Sequence, residues 1–187
     1  MFDRGDGKTV LVVGSARSGT TWLQMVISKH LSYRPIFEPF HPQNSGFANY
    51  VEVVNSVDPE DAMCQKTSYI RDVLMGRTRS YWTDQFNTLR FPKGRVVKDI
   101  SCQGLLSDII TSGLVDKVIL IMRNPADVFD SFHYKKWVTN IEWSNFLIGL
   151  PDRTVSNIMR IPENDEMHKW LKKWLLENYI ALSQIQD

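Results

Sequence analysis

Apolar runs rich in β-branched residues alternate along the chain with stretches of helical periodicity, the pattern of a parallel sheet flanked by helices. Thr9 to Gly14 reads as the central strand and Thr20 to Leu31 as an amphipathic helix. Trp22, Leu23, Val26, Ile27 and Leu31 form its expected apolar face. Arg34 to Phe40 reads as a short second strand closed by Pro39 and Pro42, followed by a polar loop from His41 to Gly46. Pro59 to Leu89 carries helical patterns broken near Gly76, and the Pro92-Lys-Gly94 turn leads into a strand over Arg95 to Lys98. A short helix over Leu105 to Ile110, a strand over Val118 to Met122 and a helix over Ala126 to Lys136 follow. Arg153 to Asp165 reads as an irregular connection and Met167 to Ile185 as a last amphipathic helix, whose Trp170, Leu171, Trp174 and Leu175 stripe is packing.

At the first of these boundaries the pattern becomes chemical. The strand ending at Gly14 empties into Ser15-Ala-Arg-Ser-Gly19 and then a helix. Loop amides and a helix N-terminus converge there on an anion, which favours phosphate or sulfate. A nucleoside-triphosphate loop reads G-x-x-x-x-G-K-[ST], its Lys reaching the terminal phosphates. Here Gly14 and Gly19 keep the spacing, but Thr20 replaces the Lys and the cation Arg17 lies inside the loop.

Arg17-Ser-Gly-Thr-Thr-Trp22 resembles the [KR]-S-G-T-T-W loop of the sulfotransferases that use 3′-phosphoadenosine-5′-phosphosulfate. A second segment, the strand ending at Met122 followed by Arg123-Asn-Pro-Ala-Asp-Val-Phe-Asp-Ser131, resembles that family's site for the donor's 3′-phosphate. Two motifs in the expected order are far more specific than one. The resemblance implies an α/β, P-loop-like three-layer sandwich. Arg17, Ser18, Gly19, Thr20 and Thr21 would take the 5′-phosphosulfate, Trp22 would pack near the adenine, and Arg123 with Ser131 would hold the 3′-phosphate. No metal is expected, because protein cations suffice for the moving group.

Transfer to an alcohol also needs a base and charge stabilisation. Glu38, in Phe37-Glu-Pro-Phe40, resembles the F-E-P stretch of carbohydrate sulfotransferases and is the candidate base; the alternative is a surface Glu before a proline turn. Lys98, in Val96-Val-Lys-Asp99, is the candidate for the bridging oxygen or sulfuryl group, although a Lys at a strand end can also simply snorkel to solvent. The phenol and steroid branch carries a His two residues after that Lys, where this chain has Ile100. The carbohydrate, tyrosyl-protein and bacterial branches are therefore closer. His41 competes with Glu38 for the role of base, while His30, His133 and His168 show no catalytic or metal pattern. Aromatics from Tyr81 to Phe91, including Trp82 and Phe86, and from Phe132 to Phe146, including Trp137 and Trp143, are core or acceptor-pocket residues.

Composition narrows the partners. The 187 residues carry 22 basic and 21 acidic side chains, so no global field draws the chain to nucleic acid or an anionic membrane. Any anion site is local. Two cysteines, Cys64 and Cys102, lack metal-ligand spacing and suit reduced thiols. No run approaches the ~20 apolar residues of a membrane span, and the first eight residues are too short and polar for a signal peptide, so the expected location is cytoplasmic. Length predicts one domain over residues 1–187. The family usually adds a further strand and a closing segment after a helix like the last one, and their place is vacant here; an uncovered sheet edge would favour a homodimer. The acceptor is a hydroxyl on a carbohydrate, lipid, peptide or small molecule. The alternatives are a P-loop small-molecule kinase and a non-catalytic nucleotide-binding or interaction module.

Overall fold

The computed structural model describes residues 7–41, 43–44, 46–47, 59–135 and 153–185. Four parallel strands form one sheet: β1 (Lys8–Gly14), β2 (Tyr33–Phe37), β3 (Gly94–Asp99) and β4 (Lys117–Ile121), in the order β2-β3-β1-β4. Val12 lies beside Lys98, and Phe37 flanks Lys98 on the other side. From β1, the next two strands lie to one side and β4 to the other. Ligands of open α/β sheets bind at such a reversal, beyond the carboxyl ends of the strands.

Alternation along β1 divides the core. Val10 and Val12 face helix α1 (Thr20–Leu31) with Val96, Leu23 and Ile27. Leu11 and Val13 face the opposite layer with Ile36 and Val97. That layer is built by α2 (Pro59–Leu74), a 3₁₀ turn (Gln103–Leu105), α4 (Leu106–Thr111) and α7 (Glu166–Ile185), which contribute Ile70, Val73, Leu74, Leu106, Ile109 and Ala181. The three-layer expectation holds. Among the remaining helices, α3 (Tyr81–Asp84) borders β2, while α5 (Pro125–Tyr134) and α6 (Arg153–Met159) pack on α7 through the Val128, Phe132 and Trp170 group and the Val155, Ile158, Leu176 and Ile180 group.

Three expectations change. Helix α1 buries Thr20, Gln24 and Ser28, while Trp22, Val26 and Leu31 of its expected apolar face are exposed. The reason is a hydrogen bond across the sheet. Gln24 Nε2 donates to Ile36 O at 2.8 Å and Val96 O at 2.9 Å, so a polar side chain ties α1 to β2 and β3. Arg153–Met159 is helical rather than irregular, because Val155 and Ile158 give it a face to bury against α7. β2 stops at Phe37, where Glu38 leaves the extended conformation with φ 41°. Trp137, Trp143 and Phe146 lie outside the described residues. No helix among the described residues is long and apolar enough to cross a membrane.

Candidate active site

The loop after β1 is set by its glycines. A Cβ on Gly14 would lie 2.5 Å from Ile121 O, so glycine is what lets the loop start against β4. Gly19 sits at φ 101° and a Cβ there would meet nothing within 4 Å. Arg17 also has positive φ, 68°. Changes of handedness of this kind gather successive N–H groups into an anion-binding concavity. Because Gly19 caps α1 without a side-chain acceptor, the first-turn N–H groups are left to water or a ligand. Ser18 closes the loop inward, donating from both its N–H (3.2 Å) and its Oγ (2.6 Å) to Ser15 O. Thr20 is buried, its methyl side toward Gly14, whereas Thr21 is half-buried and Trp22 is 71% exposed.

The second motif meets this loop. Asn124 accepts from Ala126 N and Pro125 opens α5, which aims the helix start at β1's end. Arg17 Nε then donates to Ser131 Oγ at 2.9 Å, across 114 positions of the chain. The Arg123 guanidinium reaches Arg17 O at 3.5 Å and Asp127 at 3.6 Å. Two exposed cations and a hydroxyl therefore share one rim with the loop.

At the neighbouring strand ends the environment is dry. Glu38 and Lys98 are 6% and 2% exposed and form an ion pair. Lys98 Nζ also lies 4.6 Å from the centroid of Phe37. Glu38 N–H donates to Lys98 O at 2.7 Å, and Trp82 Nε1 donates to Glu38 O at 3.0 Å. Trp82 is held there because α3 is anchored from below. Arg34, fully buried in β2, binds Asp84 through Nε and Nη2 at 2.8 and 3.0 Å and also donates to Gly76 O and Thr78 O. His41 stacks on Trp82 with centroids 5.3 Å apart, and its Nδ1 accepts from Gln43 N. Burial lowers its pKa; Glu38 opposes that shift, while Lys98 and Lys173 add to it, so the ring stays neutral at neutral pH.

Three contributors were not legible as site residues in the sequence. Asp99, fully buried, accepts from Phe40 N at 2.8 Å and Ser101 N at 2.6 Å. Burial raises its pKa to about 7, against the lowering effect of those two amides. From α7, Asn178 Nδ2 donates to Ser15 Oγ at 3.0 Å, and the buried Glu177, its pKa raised by burial, bonds Ser15 and lies 3.6 Å from Lys173. The sequence marked α7 only as a packing helix through its Trp170, Leu171, Trp174 and Leu175 stripe, with no signal for Glu177 or Asn178.

Among the described residues no group of three or more His, Cys, Asp or Glu gathers in metal-ligand fashion. Comparison with curated proteins finds no match. The family model for the sulfotransferase domain matches residues 7–183, a span that contains the loop, the Glu38–Lys98 pair, the Arg123 motif and α7. The chain belongs to the sulfotransferase family.

Proposed function

We propose that the protein transfers a sulfuryl group from 3′-phosphoadenosine-5′-phosphosulfate to an acceptor hydroxyl by in-line displacement. The observation that carries this reading is the convergence of the Arg17 loop, the Arg123–Ser131 motif and the Glu38–Lys98 pair at the carboxyl ends of adjacent strands. The residues fit such a donor. The open outer side of Gly19, the uncapped start of α1 and Arg17 suit the 5′-phosphosulfate, with Ser18, Thr20 and Thr21 shaping the loop. Arg123 and Ser131, adjoining the Arg17 loop, suit the donor's second anion, the 3′-phosphate. Trp22 offers an exposed ring for the adenine.

In the reaction the acceptor oxygen attacks sulfur while the bond from sulfur to the phosphate oxygen breaks, releasing adenosine 3′,5′-bisphosphate. The acceptor proton passes to the Glu38 carboxylate. Lys98 supplies positive charge to the bridging oxygen or the sulfuryl oxygens in a site shielded from water, where it counts for most. Glu38 is preferred to His41 because it is fixed by four contacts, three through its backbone and one from its side chain to Lys98. A single domain working in the cytoplasm as a homodimer is part of the same proposal.

The test is to incubate the protein with radiolabelled donor and hydroxyl probes (N-acetylglucosamine, a tyrosyl peptide and 4-nitrophenol), following labelled product and adenosine 3′,5′-bisphosphate together. Stoichiometric formation of both supports the proposal. Magnesium-dependent phosphate transfer from ATP would replace it with a kinase, and bisphosphate binding without turnover of any probe or of water would make the chain a non-catalytic nucleotide-binding module.

A further inference from the structure

We propose that Asp99 is a positioning residue for the transfer step, its carboxyl group holding the Glu38-Pro-Phe40 turn so that Glu38 stays on Lys98. This rests on the reading of Glu38 as the base. Glu38 has φ 41°, a left-handed conformation that is unfavourable for a non-glycine residue and persists only where its surroundings over-determine it. Four hydrogen bonds do so here. Lys98 O accepts Glu38 N–H, Glu38 O accepts from Trp82 Nε1 and His41 N, and Asp99 Oδ2 accepts Phe40 N–H.

Successive side chains of a strand point to opposite faces, so Lys98 and Asp99 straddle the end of β3. Lys98 takes the Glu38 side chain on one face, and Asp99 takes the Phe40 amide on the other, where Phe40 joins the core with Val97 and Cys102. The turn is thereby fastened on both sides of one strand. Asp99 Oδ1 is held in turn by Ser101 N–H, so the carboxylate cannot rotate away without losing two bonds to backbone amides. Asp99 also interacts electrostatically with Glu38 and Lys98.

Asp99→Asn tests this, because an amide nitrogen cannot accept from an N–H and one of the two bonds becomes a donor–donor contact. Turnover is measured with the fastest of the hydroxyl probes, or with water as acceptor, in the wild type, Asp99→Asn, Glu38→Gln and the double variant. The expected result is a fall in kcat of about tenfold or more in Asp99→Asn, with bisphosphate Kd changed by less than about twofold, and little further loss when Asp99→Asn is added to Glu38→Gln. A kcat within about twofold of wild type, or the same multiplicative loss in both backgrounds, overturns it. A Glu38→Gln variant with full turnover removes the base reading itself, whereas a costly Glu38→Gln beside a silent Asp99→Asn removes only this inference. Should Asp99→Asn not fold, hydrogen exchange in the wild type decides: a Phe40 amide as protected as those of β3 supports the clamp, and one exchanging like an open loop amide contradicts it.

Discussion

Glu38, Lys98 and Asp99 are 6%, 2% and 0% exposed, whereas the Arg123 side chain is 47% exposed and Trp22 71%. The first group lies at the ends of β2 and β3 and the second on the rim shared by β1, β4 and α5. In the dry end each charge has a specific partner, and loss of one leaves another buried and unsatisfied, which costs more than the contact itself provides. At the wet rim the charges are partly screened, and in the proposed reaction they would act over distance on the donor's phosphates. Substitutions in the two regions therefore break different quantities: turnover in the first, donor affinity in the second.

The sharpest break is at Lys98. Lys98→Met keeps the volume and removes the charge, and turnover is expected to fall about 10³-fold with bisphosphate affinity little changed. Lys98→Arg does not restore it, because a planar fork cannot replace a compact ammonium packed over Phe37. Glu38→Gln comes next, with a loss of about 10²-fold or more in kcat and no change in bisphosphate Kd by calorimetry. On the rim, Arg123→Ala is expected to weaken bisphosphate binding about tenfold to a hundredfold, the worth of a charge-assisted hydrogen bond, while kcat at saturating donor stays near wild type. A rim variant that lowered kcat alone would erase the distinction.

Smaller effects sharpen it. Asp99 keeps its proton in the folded chain up to about pH 7, whereas the unfolded carboxyl releases it near 3.8. The folded state therefore binds more protons between those values, and this group's contribution to stability falls as pH rises through that window and is level above it. Urea titrations of the wild type should lose on the order of 1 kcal/mol per pH unit between about pH 5 and pH 6 from this source, and Asp99→Asn should flatten that slope. Glu177, shifted in the same direction by burial, leaves a remainder. Least of all, raising salt from about 0.05 to about 0.5 M should weaken bisphosphate binding a few-fold while leaving kcat unchanged, because the rim is screened and the buried pair is not.

The two regions also differed in how much of them could be read in the sequence. The rim was legible because loops that bind anions need glycine at fixed offsets and a cation beside them: Gly14, Gly19, Arg17 and Arg123 declare the chemistry locally. The strands were legible for a similar reason, since Val10 to Val13 or Val118 to Ile121 can be little else. The family resemblance assigned Arg17 and Ser131 to one donor but not to each other, and their contact follows from the placing of β1 beside β4. Glu38 and Lys98 were legible as types, but not their pairing, which depends on β2 lying against β3 in a register that places Phe37 beside Lys98. Gln24, Asp99 and Asn178 escaped because each satisfies backbone or loop groups distant in sequence, and no local periodicity records a tertiary hydrogen bond. The face of α1 was misassigned for the same reason. Hydrophobicity favoured Trp22 and Val26, whereas the Ile36 and Val96 carbonyls required Gln24.

The central claim is that the Arg17 loop and the Arg123–Ser131 motif form one donor site. Calorimetric titration of the wild type and Arg123→Ala with adenosine 3′,5′-bisphosphate and with ADP tests it most directly. The wild type is expected to prefer the bisphosphate by about tenfold or more, and Arg123→Ala to lose that preference while keeping its affinity for ADP. Equal affinity for the two nucleotides, or an Arg123→Ala variant that binds the bisphosphate as well as the wild type does, would contradict it.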